Sequence, residues 1–172
     1  MTPTCAAEPG ATPRAEACIR RTVPADRAPI LAALEATGLF RANEIDIALE
    51  VLDDALAHGP AGHYQSFTAV LGEEPVGWVC FGPTPCTVGT FDLYWIVVAP
   101  SRQRLSVGRR LMRHAEDLIA ARRGRLVVME TSGAPQYEPT RQFYLNVGYH
   151  EAARVADYYE PGDDKVTYVK FM

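Results

Sequence analysis

Two spacings of apolar residues alternate along the chain, about two residues in strands and about 3.6 in helices. Cys18 to Val23 suits a short strand, and Pro24-Ala25-Asp26 opens a helix that buries Ile30, Ala33, Leu34 and Thr37 before Gly38. A second helix begins near the capping residue Asn43 and sets Ile45, Ala48, Leu49, Leu52, Ala55 and Leu56 on one face. His58-Gly59-Pro60 stops it. Ser66–Leu71 and Val76–Phe81 read as a hairpin around Gly72-Glu73-Glu74-Pro75, and the loop Gly82–Gly89 leads to Thr90–Val98. The aromatic and branched residues of this run predict a central strand. Beyond Pro100 a polar turn precedes a helix from Val107 with a stripe of Leu111, Ala115, Leu118 and Ile119. Arg125–Glu130 reads as a strand, and a loop with Pro135 and Pro139 enters a short helix through Phe143 and Tyr144 that stops at Gly148. Tyr149–Val155 and Lys165–Phe171 complete the set, linked by Tyr158-Tyr159-Glu160-Pro161-Gly162-Asp163-Asp164. Hairpins give antiparallel pairs and strand–helix–strand crossovers parallel ones. The order therefore predicts an α/β fold, a mixed central sheet of six to seven strands flanked by about four helices.

At 172 residues the chain has the length of one domain. Residues 1–17, small and proline-punctuated without periodicity, read as a flexible N-terminal tail, and 18–172 as the single domain. No apolar run approaches the ~20 residues that span a bilayer, and the start lacks a basic-then-apolar leader, so a cytoplasmic protein without membrane partners is expected. Cys5, Cys18, Cys80 and Cys86 form no Cys-x-x-Cys pair and the histidines are scattered, so no metal site is expected. The net charge of -4 conceals an asymmetry: Arg102 to Arg125 holds eight arginines against Glu116 and Asp117. A confined cationic segment in an acidic chain points to one polyanionic ligand rather than a nucleic-acid track. A solvated helix face is the alternative that charge alone leaves open.

The candidate chemistry begins at Val98-Ala-Pro-Ser-Arg-Gln-Arg-Leu-Ser-Val-Gly-Arg-Arg, a strand end, a polar turn and a helix start. Such a junction aims free N–H groups and the positive end of a helix dipole at one point, a natural pyrophosphate site. Gln103-Arg104-Leu105-Ser106-Val107-Gly108 resembles the Gln/Arg-x-x-Gly-x-Gly/Ala loop of the GNAT N-acetyltransferases, with Ser106 replacing the middle glycine. Phe143-Tyr144-Leu145-Asn146-Val147-Gly148-Tyr149 is similar to that family's Phe-Tyr-x-x-x-Gly-Phe/Tyr segment. The resemblance covers residues 18 to 172 and implies the GNAT fold, acetyl-CoA as co-substrate, and Tyr144 as the acid that protonates the departing thiolate. It implies further that the backbone of Ile96, Val97 and Val98 pairs with the pantetheine arm. Arg102, Arg104 and Arg109 become candidate phosphate partners beside the loop residues, and Thr131 a further cofactor contact. A homodimer is the assembly it implies.

An ammonium has no lone pair to attack a thioester, so a base is needed. Asp92 is the candidate, on the resemblance of its position to the glutamate of histone-acetylating relatives. Strict alternation would put it on one face with Tyr94 and Ile96. A structural carboxylate is the alternative for Asp92, and Glu130 the runner-up base. Tyr94, Glu130, Tyr137 and Tyr159 are candidate acceptor contacts. The pocket is expected from the early helices, the Pro83–Cys86 loop and the Tyr158–Asp164 segment, although Pro161–Asp164 also reads as a plain turn. The expected activity is direct acetyl transfer to a primary amine of a small molecule, amino-acid-like or polyamine-like. Rival readings are a non-catalytic acyl-CoA-binding module, suggested by Ser106, and acylation of a protein amine.

Overall fold

The structure, a computed structural model, describes residues 17–172. The expected tail and Cys5 lie outside the described residues. Seven strands form one sheet: β1 (Cys18–Arg21), β2 (Gln65–Leu71), β3 (Glu74–Pro83), β4 (Thr90–Val98), β5 (Leu126–Ser132), β6 (His150–Glu160) and β7 (Asp163–Phe171). Their order across the sheet is β1-β2-β3-β4-β5-β7-β6, antiparallel throughout except for the parallel pair β4–β5. Four helices cover it: α1 (Arg27–Thr37), α2 (Ala42–His58), α3 (Val107–Ala121) and α4 (Glu138–Asn146). The mixed α/β sheet with four helices is the architecture the periodicity predicts.

Two apolar layers follow from strand alternation. On one face Ile30, Leu34, Ala48 and Leu52 of α1 and α2 close over Trp78, Cys80 and Val97. On the other, Val107, Leu111, Met112, Ala115 and Ile119 of α3 pack on Phe67, Val79, Phe81, Phe91 and Leu93. β3, buried on both faces, accordingly reads as a continuous apolar run rather than an alternating one. Asp26, only 1% exposed, anchors the first crossover. Its carboxylate accepts from the Arg20 guanidinium at 2.6 and 2.8 Å, from the Val23 N–H and from the Thr68 hydroxyl. Burial alone would raise its pKa, but these donors hold it below the usual carboxylate range.

Three local details depart from the sequence reading. Arg41, not Asn43, caps α2, because the Glu44 carboxylate reaches back to accept the Arg41 N–H at 2.7 Å. The final hairpin is longer than expected: β6 runs to Glu160 and β7 starts at Asp163, so only Pro161-Gly162 turns the chain. Its ladder is interrupted between Val155 and Glu160, where Asp157 takes a positive φ of 53°. Asp157 Oδ1 accepts the Gly162 N–H there, which gives the tip its own internal tie.

Candidate active site

β4 and β5 stay in register only at Thr90↔Leu126, Phe91↔Val127 and Asp92↔Val128. Past Asp92 the strands part, and the β5-facing peptide groups of β4 leave the ladder. A cavity of about 590 Å³ opens beside this parted edge. Its walls are Ile96, Val97 and Val98 of β4, the turn Gln103–Arg104, the start of α3 at Ser106–Arg109, and Pro139, Thr140, Phe143, Tyr144 and Asn146 of α4. The first intrahelical bond of α3 runs from Arg110 N–H to Ser106 C=O at 3.0 Å, so the preceding N–H groups lie outside the helical ladder at its positive end. Gly108 permits close packing there, since a Cβ would stand 3.3 Å from the Phe143 ring. A groove with strand peptides outside the ladder at one end and the N–H dipoles of a helix start at the other fits an extended thioester ending in pyrophosphate.

Two residues of the turn are held in the left-handed region without being glycine, Arg104 at φ 63° and Ser106 at φ 61°. Each costs roughly 1–2 kcal/mol relative to ordinary backbone. Ser106 makes no side-chain capping bond to offset this.

A second cavity, of about 420 Å³, lies on the far side of Tyr144. Leu39, Phe40, Arg41 and Glu44 form one wall, Tyr94, Trp95 and Ile96 another, and Glu130, Thr131 and Ser132 of β5 a third. Gln136, Tyr137, Thr140 and the hairpin tip residues Tyr159, Glu160 and Asp163 close it. Ile96, Thr140 and Tyr144 line both cavities. Among the described lining residues four carboxylates face one guanidinium, Arg41, which lies 3.3 Å from Glu44 and 3.9 Å from Glu160. Lys165 pairs with Glu130 at 3.0 Å from outside the lining. Even counting both cations, an acidic excess remains.

The phenols of this chamber stay neutral. Burial, aided by Asp92, pushes Tyr94 up to about 12; burial and Glu44 do the same to Tyr137, and burial and Glu130 to Tyr159. Burial raises Tyr144 well above the ordinary tyrosine range, with smaller contributions from Tyr168 and Tyr137. Tyr137 spends its hydroxyl proton on the Leu39 carbonyl at 2.9 Å and so ties α4 to the loop before α2.

The structure brings together Ile96, Val97, Val98, Gln103, Arg104, Ser106, Val107, Gly108, Arg109 and Tyr144 around the first cavity, and Tyr94, Glu130, Tyr137 and Tyr159 around the second. The Pro83–Cys86 loop lines neither cavity, and four expected residue placements differ as well. Arg102 turns away from the groove and donates to Glu74 at 2.7 Å on the β2–β3 turn. Leu105 points outward, 41% exposed. Thr131 lines the second cavity, not the first. Asp92 lines neither, and its carboxylate accepts from the Thr84 hydroxyl at 2.8 Å.

The last difference has a cause in the backbone. Cys80 pairs with Trp95 and Phe81 with Leu93, so Tyr94 is the extra residue of a β-bulge. Alternation shifts by one across it: Phe91 and Leu93 share a face with Ile96 and Val98, while Trp95 and Val97 face α1 and α2. Ile96 is therefore on the opposite face from Asp92, contrary to the uninterrupted pattern. Phe40, Arg41, Glu44, Gln136 and Thr140 were not legible as site residues, because only the folded chain assembles them.

Comparison with known proteins agrees with this geometry. A family model described as Acetyltransferase (GNAT) family matches residues 34–149. A solved structure from Desulfovibrio desulfuricans, assigned to the GNAT acetyltransferases, is 40% identical, with a TM-score of 0.85 over 90% of this chain and 98% of that one. An aminoglycoside 6'-N-acetyltransferase complexed with coenzyme A has the same fold at 18% identity, TM-score 0.71, covering 90% and 96% of the two chains. So does the ribosomal-protein-S18-alanine N-acetyltransferase of Escherichia coli, at 17% identity, TM-score 0.69 and coverages of 90% and 93%. No curated protein matches the sequence. With the family model spanning most of the chain and the Desulfovibrio structure alike along nearly all of it, the protein belongs to the GNAT family of acetyltransferases.

Proposed function

We propose that this protein transfers the acetyl group of acetyl-CoA to the primary amine of a small cationic molecule by direct attack within a ternary complex. The observation that carries the reading is the pair of cavities meeting at Tyr144, one shaped for an extended thioester and the other acidic and aromatic. The second cavity, of about 420 Å³, is at the small end of ligand pockets and suits a small acceptor. Trp95, Tyr94 and Tyr159 offer π faces to an ammonium, and Glu130 and Glu44 offer charge.

In this reading the freed β4 peptides hold the thioester arm, and the N–H groups at the start of α3, with Arg104 and Arg109, hold its phosphates. Tyr144 then meets the sulfur as the carbon–sulfur bond breaks. An ordinary phenol at ~10 against a thiol at ~8.5 already makes full proton transfer uphill by ~2 kcal/mol, and burial widens the gap. Tyr144 therefore acts as a hydrogen-bond donor to the developing thiolate, whose proton comes finally from the attacking nitrogen.

Thermal unfolding tests the first half. Acetyl-CoA at ~100 times its Kd stabilises a fold by ~2.7 kcal/mol, which for this chain length raises Tm by about 5–10 °C. CoA release scored across primary amines tests the second. A shift without release from any amine favours the non-catalytic module, for which Ser106 at positive φ in the phosphate turn is the motivating observation.

A further inference from the structure

Acetylation of an ammonium releases one proton per turnover, and the second cavity must pass that proton to water. The carboxylates of its lining are already engaged. Glu130 pairs with Lys165, Glu44 and Glu160 flank Arg41, and Asp163 accepts from the Ser132 hydroxyl at 2.5 Å. One wall leads outward. Tyr94, the bulge residue, lines the cavity, and its hydroxyl lies 2.8 Å from His63 Nε2. His63 is exposed, in the turn between α2 and β2.

Three features hold this contact in place. Tyr64 sets its ring edge-on against both His63, at 4.8 Å, and Tyr94, at 5.1 Å. Gly82 leaves room for the imidazole, since a Cβ there would stand 2.7 Å from the His63 carbonyl oxygen and 3.1 Å from Nε2. The β-bulge turns Tyr94 out of the ladder's alternation toward this partner. The charges of Asp92 of β4 and Cys80 of β3 act on Tyr94, and those of Cys80 and of Asp54 of α2 act on Tyr64. The carboxylates favour a cation passing along this path.

We propose that Tyr94 and His63 form a proton relay that carries the acceptor's ammonium proton from the cavity to the surface, resting on the acyl-transfer reading above. The ammonium N–H gives its proton to Tyr94 Oη as the Tyr94 hydroxyl proton passes to His63 Nε2. Nδ1 carries the imidazole's own proton, and His63 then releases the new one to water. The neutral amine keeps the electron pair that forms the carbon–nitrogen bond as the carbon–sulfur bond breaks. Because burial keeps the phenol protonated, the two transfers are concerted and no phenolate forms. Tyr94 touches the acceptor, and His63 acts through it.

The test uses the full chain with acetyl-CoA and benzylamine, tyramine and putrescine as acceptors. In His63→Gln and in Tyr94→Phe, kcat/KM at pH 7 falls about 10–100-fold. The deficit closes as pH approaches the amine's own pKa, where free amine needs no relay. The double variant falls no further than either single one, as expected for two groups on one path. His58→Gln, at an exposed histidine facing Asp54, keeps the wild-type profile. Nitrogen NMR of the free protein reads the contact itself: His63 holds its proton on Nδ1, and Tyr94→Phe shifts the Nε2 resonance. A His63→Gln profile that matches wild type, or multiplying effects in the double variant, overturns the relay. Absence of CoA release by the wild type from all three amines counts instead against the acyl-transfer reading, and the relay falls with it.

Discussion

The two cavities are built from different kinds of sequence. The first takes one end from a single short stretch, Gln103 to Arg109 without Leu105, and the other from α4 around Tyr144. The second draws on five separate stretches between Leu39 and Asp163, each giving a few side chains. In the reading proposed above, backbone groups dominate ligand binding in the first and side chains in the second. A ligand held by peptide groups and a helix terminus tolerates side-chain change around it, whereas one held by carboxylates and rings does not. In the reading proposed above, the first cavity specifies the reaction and the second specifies its acceptor.

The sharpest way to break this division is at the shared wall. Tyr144→Phe should lower kcat about 100-fold while acetyl-CoA affinity, read by thermal shift, stays within about twofold. An equal loss of affinity would make Tyr144 a binding residue of the first cavity only. Next in size, Glu130→Gln should raise the acceptor KM about tenfold and leave the acetyl-CoA shift unaltered. That follows from removing one carboxylate from the proposed ammonium site while Lys165 remains.

A smaller and opposite effect is expected in the phosphate turn. Ser106→Gly relieves a left-handed conformation and should stabilise the protein by ~1 kcal/mol, seen as a higher urea midpoint. Acceptor KM should not move.

The least effect at neutral pH, and a growing one in alkali, comes from the phenols. Tyr94, Tyr137 and Tyr159 are all raised to about 12 by burial, so the folded state holds their protons more tightly than the unfolded chain. Their contribution to stability is complete below pH ~10 and is lost as pH rises through about 12. Because Tyr137 is one of these phenols, Tyr137→Phe should flatten the fall of the urea midpoint in this window.

How much of this was legible in the sequence follows the same division. The strand and helix order and the turn at Gln103–Gly108 are local patterns, and periodicity with spacing exposes them. Helix ends and the Pro161-Gly162 turn moved by a few residues, because Glu44 and Asp157 side chains decide them and composition does not show which way a side chain reaches. Asp92 was misplaced relative to Ile96 because a single extra residue at Tyr94 inverts alternation, and no residue type marks it. Arg102 looked like its neighbours in charge, but Glu74, distant in sequence, claims it.

The parting of β4 from β5 has a mechanical meaning as well as a chemical one. Only three registered pairs join β1–β4 to β5–β7 through the backbone, against seven between β3 and β4 and seven between β5 and β7. The sheet is in effect two panels riveted at one end. A bound thioester arm lying along the open seam would act as a missing strand, so amide exchange in the two panels should become synchronised when acetyl-CoA is present and drift apart when it leaves.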